Sequence, residues 1–114
     1  MQLTAPLLTI LSLTLANTAS AFRVQAYQNA DCTGPSQDIN VWDNTCKNKL
    51  NNIQSVTVTS YGAGRQRAAF YRSSDCNALE QWIDYYADGG SDKFLKGRCI
   101  SFAFNVHAMG SRSV

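Results

Sequence analysis

Laid over itself at an offset of 44 residues, this chain repeats. Arg23-Val24-Gln25-Ala26-Tyr27 falls on Arg67-Ala68-Ala69-Phe70-Tyr71, and Asp31-Cys32 falls on Asp75-Cys76. Gln37, Ile39 and Trp42 fall on Gln81, Ile83 and Tyr86. Beyond that the offset becomes 53: Cys46 meets Cys99, and Asn52-Ile53 meets Asn105-Val106. The second copy therefore carries nine extra residues within 87–98. Residues 22–114 are too few for two independent cores, so two related units, about 22–60 and 66–112, have to share one interior.

The repeat also fixes element type. Residues 77–87 (NALEQWIDYYA) carry helical spacing of Leu79, Trp82, Ile83 and Tyr86 behind an Asn77/Glu80 pair that looks like a capping box. Their counterpart, residues 37–43 (QDINVWD), is β-branched and nearly alternating. A duplicated unit keeps its element type, so both read as strands. Further strands are expected at 23–28, 54–61, 68–72 and 100–106. In the second of these Val56 and Val58 alternate with Ser55, Thr57 and Thr59. Turn signals stand at Gly34-Pro35, at Gly62-Ala63-Gly64 and around Gly89-Gly90. The expected fold is all-β, a two-copy Greek-key β-sandwich.

Residues 1–21 contain no charge, no aromatic and no cysteine. Residues 6–16 (PLLTILSLTLA) have the length of a secretory h-region, and Ala19 and Ala21 supply small residues at −3 and −1 of a cut after Ala21. The apolar run is too short to span a bilayer. The mature chain is then residues 22–114, a secreted single domain without a membrane span. Export makes disulfides the default for Cys32, Cys46, Cys76 and Cys99. Four cysteines allow three pairings; the duplication favours Cys32–Cys46 and Cys76–Cys99, one staple per copy.

The copies resemble the βγ-crystallin Greek-key motif, in the form found in small secreted microbial proteins of fungal type similar to killer toxins. In the first copy the resemblance rests on Ala26-Tyr27-x-x-x-Asp31-Cys32-x-Gly34, closed by Asn52-Ile53-Gln54-Ser55-Val56. The second copy offers Phe70-Tyr71-x-x-x-Asp75-Cys76 and Asn105-Val106-His107-Ala108-Met109, with Ala78 in place of the hairpin glycine and Ala108 in place of the serine. Asn51 to Ser55 lacks the last serine of the family's calcium signature, Val56 standing there. The resemblance implies a crystallin-like sandwich in an extracellular effector, virulence factor or antimicrobial toxin.

Catalytic parts are scarce. His107 is the only histidine, and a nuclease or other small hydrolase would have to combine it with Glu80 and an arginine. No Gly-x-Ser-x-Gly elbow occurs. Asp84, Asp88 and Asp92 are weak calcium candidates, opposed by Lys93, Lys96 and Arg98. Arg65, Arg67 and Arg72 lie among Tyr61, Phe70 and Tyr71 and offer an anionic-ligand surface, although the net charge is only +2. Trp42, Trp82, Tyr85 and Tyr86 read as core rather than as a carbohydrate platform. The sequence thus points to a non-enzymatic binding protein with no catalytic residue and no cofactor. Its expected partner is a protein or glycan on a host or competitor cell, not a specific nucleic acid. A killer-type toxin is the alternative function, with a His107 hydrolase behind it.

Overall fold

The computed structural model describes residues 19–114; most of the predicted leader, residues 1–18, lies outside the described residues. Eight strands follow in order: β1 (Ser20–Asn29), β2 (Thr33–Trp42), β3 (Cys46–Lys47), β4 (Ile53–Tyr61), β5 (Gln66–Tyr71), β6 (Trp82–Tyr86), β7 (Cys99–Val106) and β8 (Ala108–Ser113). A single 3₁₀ turn, Ala30–Cys32, joins β1 to β2. The strands form two antiparallel four-stranded sheets, β2-β1-β4-β7 and β3-β8-β5-β6. The all-β sandwich expected from the sequence is the fold observed.

Alternation builds the interior. Val24 and Ala26 of β1, Val56 and Val58 of β4, Ala68 and Phe70 of β5, and Met109 of β8 all turn inward and are buried in one cluster. Phe22 and Phe70 join the sheets at 5.9 Å between ring centroids. The nine extra residues of the second half contribute Phe94, which is fully buried. Its ring meets Phe22 edge-on at 5.7 Å and stacks on Tyr85 at 5.6 Å, while Tyr61 Oη donates to its carbonyl at 2.7 Å. The insertion thus fills the core it borders. At the chain's entrance, β1 opens at Ser20, two residues before the junction expected after Ala21. A side chain at position 62 would meet the Ser20 carbonyl oxygen at 1.8 Å, so this crossing requires glycine.

Two expected elements change at their ends. The strand reading of residues 77–87 holds only from Trp82; before it, Leu79 N donates to Asn77 Oδ1 at 2.7 Å in a local turn. The run closing the second copy is split at His107, with β7 in one sheet and β8 in the other. Placed at the offsets of the sequence repeat, β1 falls on β5, β2 on β6, β3 on the start of β7, and β4 on β8. Each sheet then reads in the same order, with its third strand taken from the other half of the chain.

That exchange corrects the disulfide pairing. The bridges are Cys32–Cys99 and Cys46–Cys76, not Cys32–Cys46 and Cys76–Cys99. Cys46 sits on β3 in one sheet, whereas Cys32 lies at the β1–β2 hairpin of the other, so the expected Cys32–Cys46 pair is kept apart. β7 instead brings Cys99 beside Cys32, with 6.0 Å between Cα atoms, and β3 meets Cys76 at 6.1 Å. Both distances suit an ordinary bridge. Cys32 and Cys76 also share a left-handed backbone, at φ 55° and 58°. Ser55, fully buried, accepts from Cys32 N at 2.8 Å and donates to the Asn29 carbonyl at 2.5 Å, which ties the first hairpin to β4. In the second half Ala108 cannot make this latch, and Ser73 bonds both the amide and the carbonyl of Asn77 instead.

Candidate functional site

β6 and β7 are edge strands of opposite sheets, and the sandwich is open between them. The register of β7 explains the opening. Ser101 faces Ser55 of β4 and Val106 faces Ile53, so residues 102–105 stand against Gln54 alone. A bulge of this size pulls the middle of β7 off the ladder and re-aims its side chains. Ile100, Phe102, Phe104 and Val106 alternate as an inward face should, yet Phe102 and Phe104 are only half-buried. Phe102 leans on Phe70 at 4.9 Å, and Phe104 follows at 6.2 Å from Phe102.

The result is a groove along β7. One end is a cavity of about 600 Å³ lined by Ile83, Tyr85, Phe102 and Phe104, with Asp92, Lys93 and Arg98 among its polar lining. That volume lies within the roughly 300–1,000 Å³ usual for ligand pockets. A polar hollow of about 460 Å³ shares Phe102, Ala103 and Phe104 with it and adds Gln54, Arg72, Gln81 and His107. Burial holds the Tyr85 phenol above its ordinary pKa, and the neighbouring Asp84 charge adds to the shift. The groove therefore offers aromatic surface beside cationic and amide groups.

His107 lies at the crossover between the sheets and is tied on four sides. Its amide donates to the Tyr71 carbonyl and its carbonyl accepts from Leu50 N, both at 2.9 Å. In the ring, Nδ1 lies 2.7 Å from the Arg72 carbonyl oxygen, and Nε2 bonds Asn52 Oδ1. Each ring nitrogen thus faces a protein oxygen, and a neutral imidazole donates to one of the two. Arg72 and Glu80 stand nearby, but both are more than half exposed and 3.9 Å apart, a weak surface pair. His107 thus ties the β7–β8 crossover to the end of β5 and to the segment before β4.

The remaining candidates separate. Arg65 and Arg72 are exposed, whereas Arg67 is turned onto the Asp84 carboxylate by two bonds of 2.8 and 2.9 Å. Arg112 donates to the same carboxylate at 2.8 Å. These bonds, the Arg67 ones foremost, hold Asp84 below the usual carboxylate range and raise the Arg67 guanidinium further. Asp84 is thus engaged by cations, and Asp88 accepts from Gly90 N in a turn. Among the described residues no group of three or more His, Cys, Asp or Glu side chains comes together, so Asp84, Asp88 and Asp92 do not converge as one cluster. The aromatic expectation is corrected too. Tyr85 is core, but Trp42, Trp82 and Tyr86 are exposed at 48%, 39% and 38%. On a strand that alternates, Tyr85 points inward and the residues flanking it point out.

Among known proteins, no family model matches the chain, and neither the curated proteins nor the solved structures give a significant match. The site rests on its own geometry. The groove residues Ile83, Phe102 and Phe104 did not stand out in the sequence, because their alternation is that of an ordinary inward strand face. The bulge that exposes them depends on pairing with β4, and pairing is not written in β7.

Proposed function

We propose that this protein works outside the cell as a non-enzymatic binding protein, an effector acting on a host, and that its partner seats in the groove along β7. The observation that carries the reading is the groove itself: a concavity of ligand-binding size with half-exposed phenylalanines and a cationic, amide-lined extension. The two disulfides support an oxidising compartment, and among the described residues no helix is long and apolar enough to cross a membrane. The matched strand orders and the reciprocal bridges support a duplicated Greek-key unit of crystallin type, two copies exchanging their third strands. The engaged ring of His107 weighs against hydrolysis.

The test is a strain lacking the gene, grown alone, against competing microbes and on a host, then complemented with wild type, Phe104→Arg or His107→Ala. A host phenotype restored by wild type and His107→Ala but not by Phe104→Arg supports the reading, provided the Phe104→Arg protein is secreted and folded. A phenotype seen only against microbes replaces the effector with a toxin. Failure of His107→Ala, with secretion and melting intact, returns the case to an enzyme.

A further inference from the structure

The outer face of the β3-β8-β5-β6 sheet carries a second feature, separate from the groove. Side chains on that face stand in three cross-strand rows. Arg112, Arg67 and Tyr86 make one row, Gly110, Ala69 and Asp84 the next, and Ala108, Tyr71 and Trp82 the third. The middle row has no bulk on β8 and β5. The Arg112 side chain crosses that low ground, bonding Asp84 at 2.8 Å and placing its guanidinium 5.8 Å from the Trp82 ring centre.

Both exposed rings are braced by a side chain of β5. Trp82 stacks on Tyr71 at 5.9 Å with 14° between the planes, and Tyr86 carries the Arg67 guanidinium at 4.3 Å. Tyr71 and Arg67 belong to β5, and β6 is the sheet edge, with no strand beyond it. Trp82 is 39% and Tyr86 38% exposed, so each keeps part of its ring surface open to solvent. The two rings are four strand positions apart, about 13 Å, the length of a short oligosaccharide. Between them Asp84 is held ionised by its two arginines. Two guanidiniums share this one carboxylate, so the platform keeps a positive charge in excess. Arg112 uses one nitrogen on Asp84 and is half exposed, which leaves donors directed outward.

We propose that this platform binds an acidic glycan, a chain of uronate sugars. Pyranose rings stack on the open ring surface of Trp82 and Tyr86, and a uronate carboxylate meets the outward donors of Arg112. Flat aromatic surface selects sugar faces, and the surplus guanidinium selects the acidic sugar over a neutral one. The inference does not rest on the groove.

The experiment titrates tetragalacturonate, and the same oligosaccharide with its carboxyls reduced to neutral galactose, into the full secreted protein with both disulfides intact. Binding is followed by calorimetry at neutral pH and low salt. The acidic tetramer is expected to bind and the neutral one to bind more weakly. Trp82→Ala should weaken the acidic tetramer about tenfold, the ordinary cost of truncating a central aromatic contact. Arg112→Gln should remove the preference for acid, while Trp42→Phe on the far edge of the other sheet should change nothing. Thermal melts confirm that each variant is folded. No binding of the acidic tetramer, equal binding of both by wild type, or undiminished binding by folded Trp82→Ala and Arg112→Gln each overturns the proposal.

Discussion

Cutting the two disulfides in different combinations separates the observed connectivity from the one that the repeat suggests. The bridges span 67 residues for Cys32–Cys99 and 30 for Cys46–Cys76. In the chain-entropy picture a cross-link stabilises by restricting the unfolded chain, and the gain grows with the logarithm of the loop. The longer bridge is then worth about 4.4 kcal/mol and the shorter about 3.7 kcal/mol. Either is a large part of the roughly 5–15 kcal/mol expected for a domain of this size. Cys32→Ser/Cys99→Ser and Cys46→Ser/Cys76→Ser each remove one bridge and leave the other whole. Cys32→Ser/Cys46→Ser cuts into both, stranding Cys76 between β5 and β6 and Cys99 on β7. Urea unfolding of the three doubles, with thiol counting on the folded proteins, reads the outcome. The first two should lose about 4 kcal/mol each and show no free thiol. The third should lose clearly more and show two. If Cys32→Ser/Cys46→Ser keeps a bridge and is the milder change, the exchange of third strands between sheets is wrong.

Other outcomes follow from single contacts. Phe94→Ala removes a fully buried ring between Phe22, Phe70 and Tyr85 and should cost about 3–5 kcal/mol in urea unfolding. Ser55→Ala leaves the Cys32 amide and the Asn29 carbonyl without their buried partner, a loss of about 1–3 kcal/mol in the same assay. Asp84 has a lowered pKa in the fold, so its ion pairs add stability above the unfolded value of about 3.9 and lose it as pH falls through the folded value. The melting-temperature gap between wild type and Asp84→Asn should therefore narrow below about pH 4; a constant gap would show that the charge is not what stabilises. Because Asp84, Asp88 and Asp92 do not converge, added calcium or chelator should leave the melting temperature unchanged.

Much of the scaffold was legible in the linear chain. Alternation marks β1, β4 and most of β7, because a strand with one wet face writes its period directly into the residue types. The repeat settled 82–86 as strand against its helical spacing. Four cysteines in a short chain that opens on a leader-like apolar run announced two bridges. The candidate sites were less legible for a physical reason. Whether an arginine is a free cation depends on what stands across the sheet, and for Arg67 that is Asp84, seventeen residues away. Trp82 and Tyr86 looked like core because they are large and aromatic, but exposure on an edge strand is set by the neighbour the strand lacks.

The sequence by itself determined an all-β chain stapled by disulfides, since periodicity, turn residues and cysteine count are local properties that survive without coordinates. Only the tertiary structure decided which half supplies the third strand of each sheet, which cysteines meet, and where the sandwich stays open. Those are choices among pairings of similar strands. Nearly equal local preferences leave them undetermined until side chains from both halves, Phe22 against Phe70 and Phe94 against Tyr85, close on one interior.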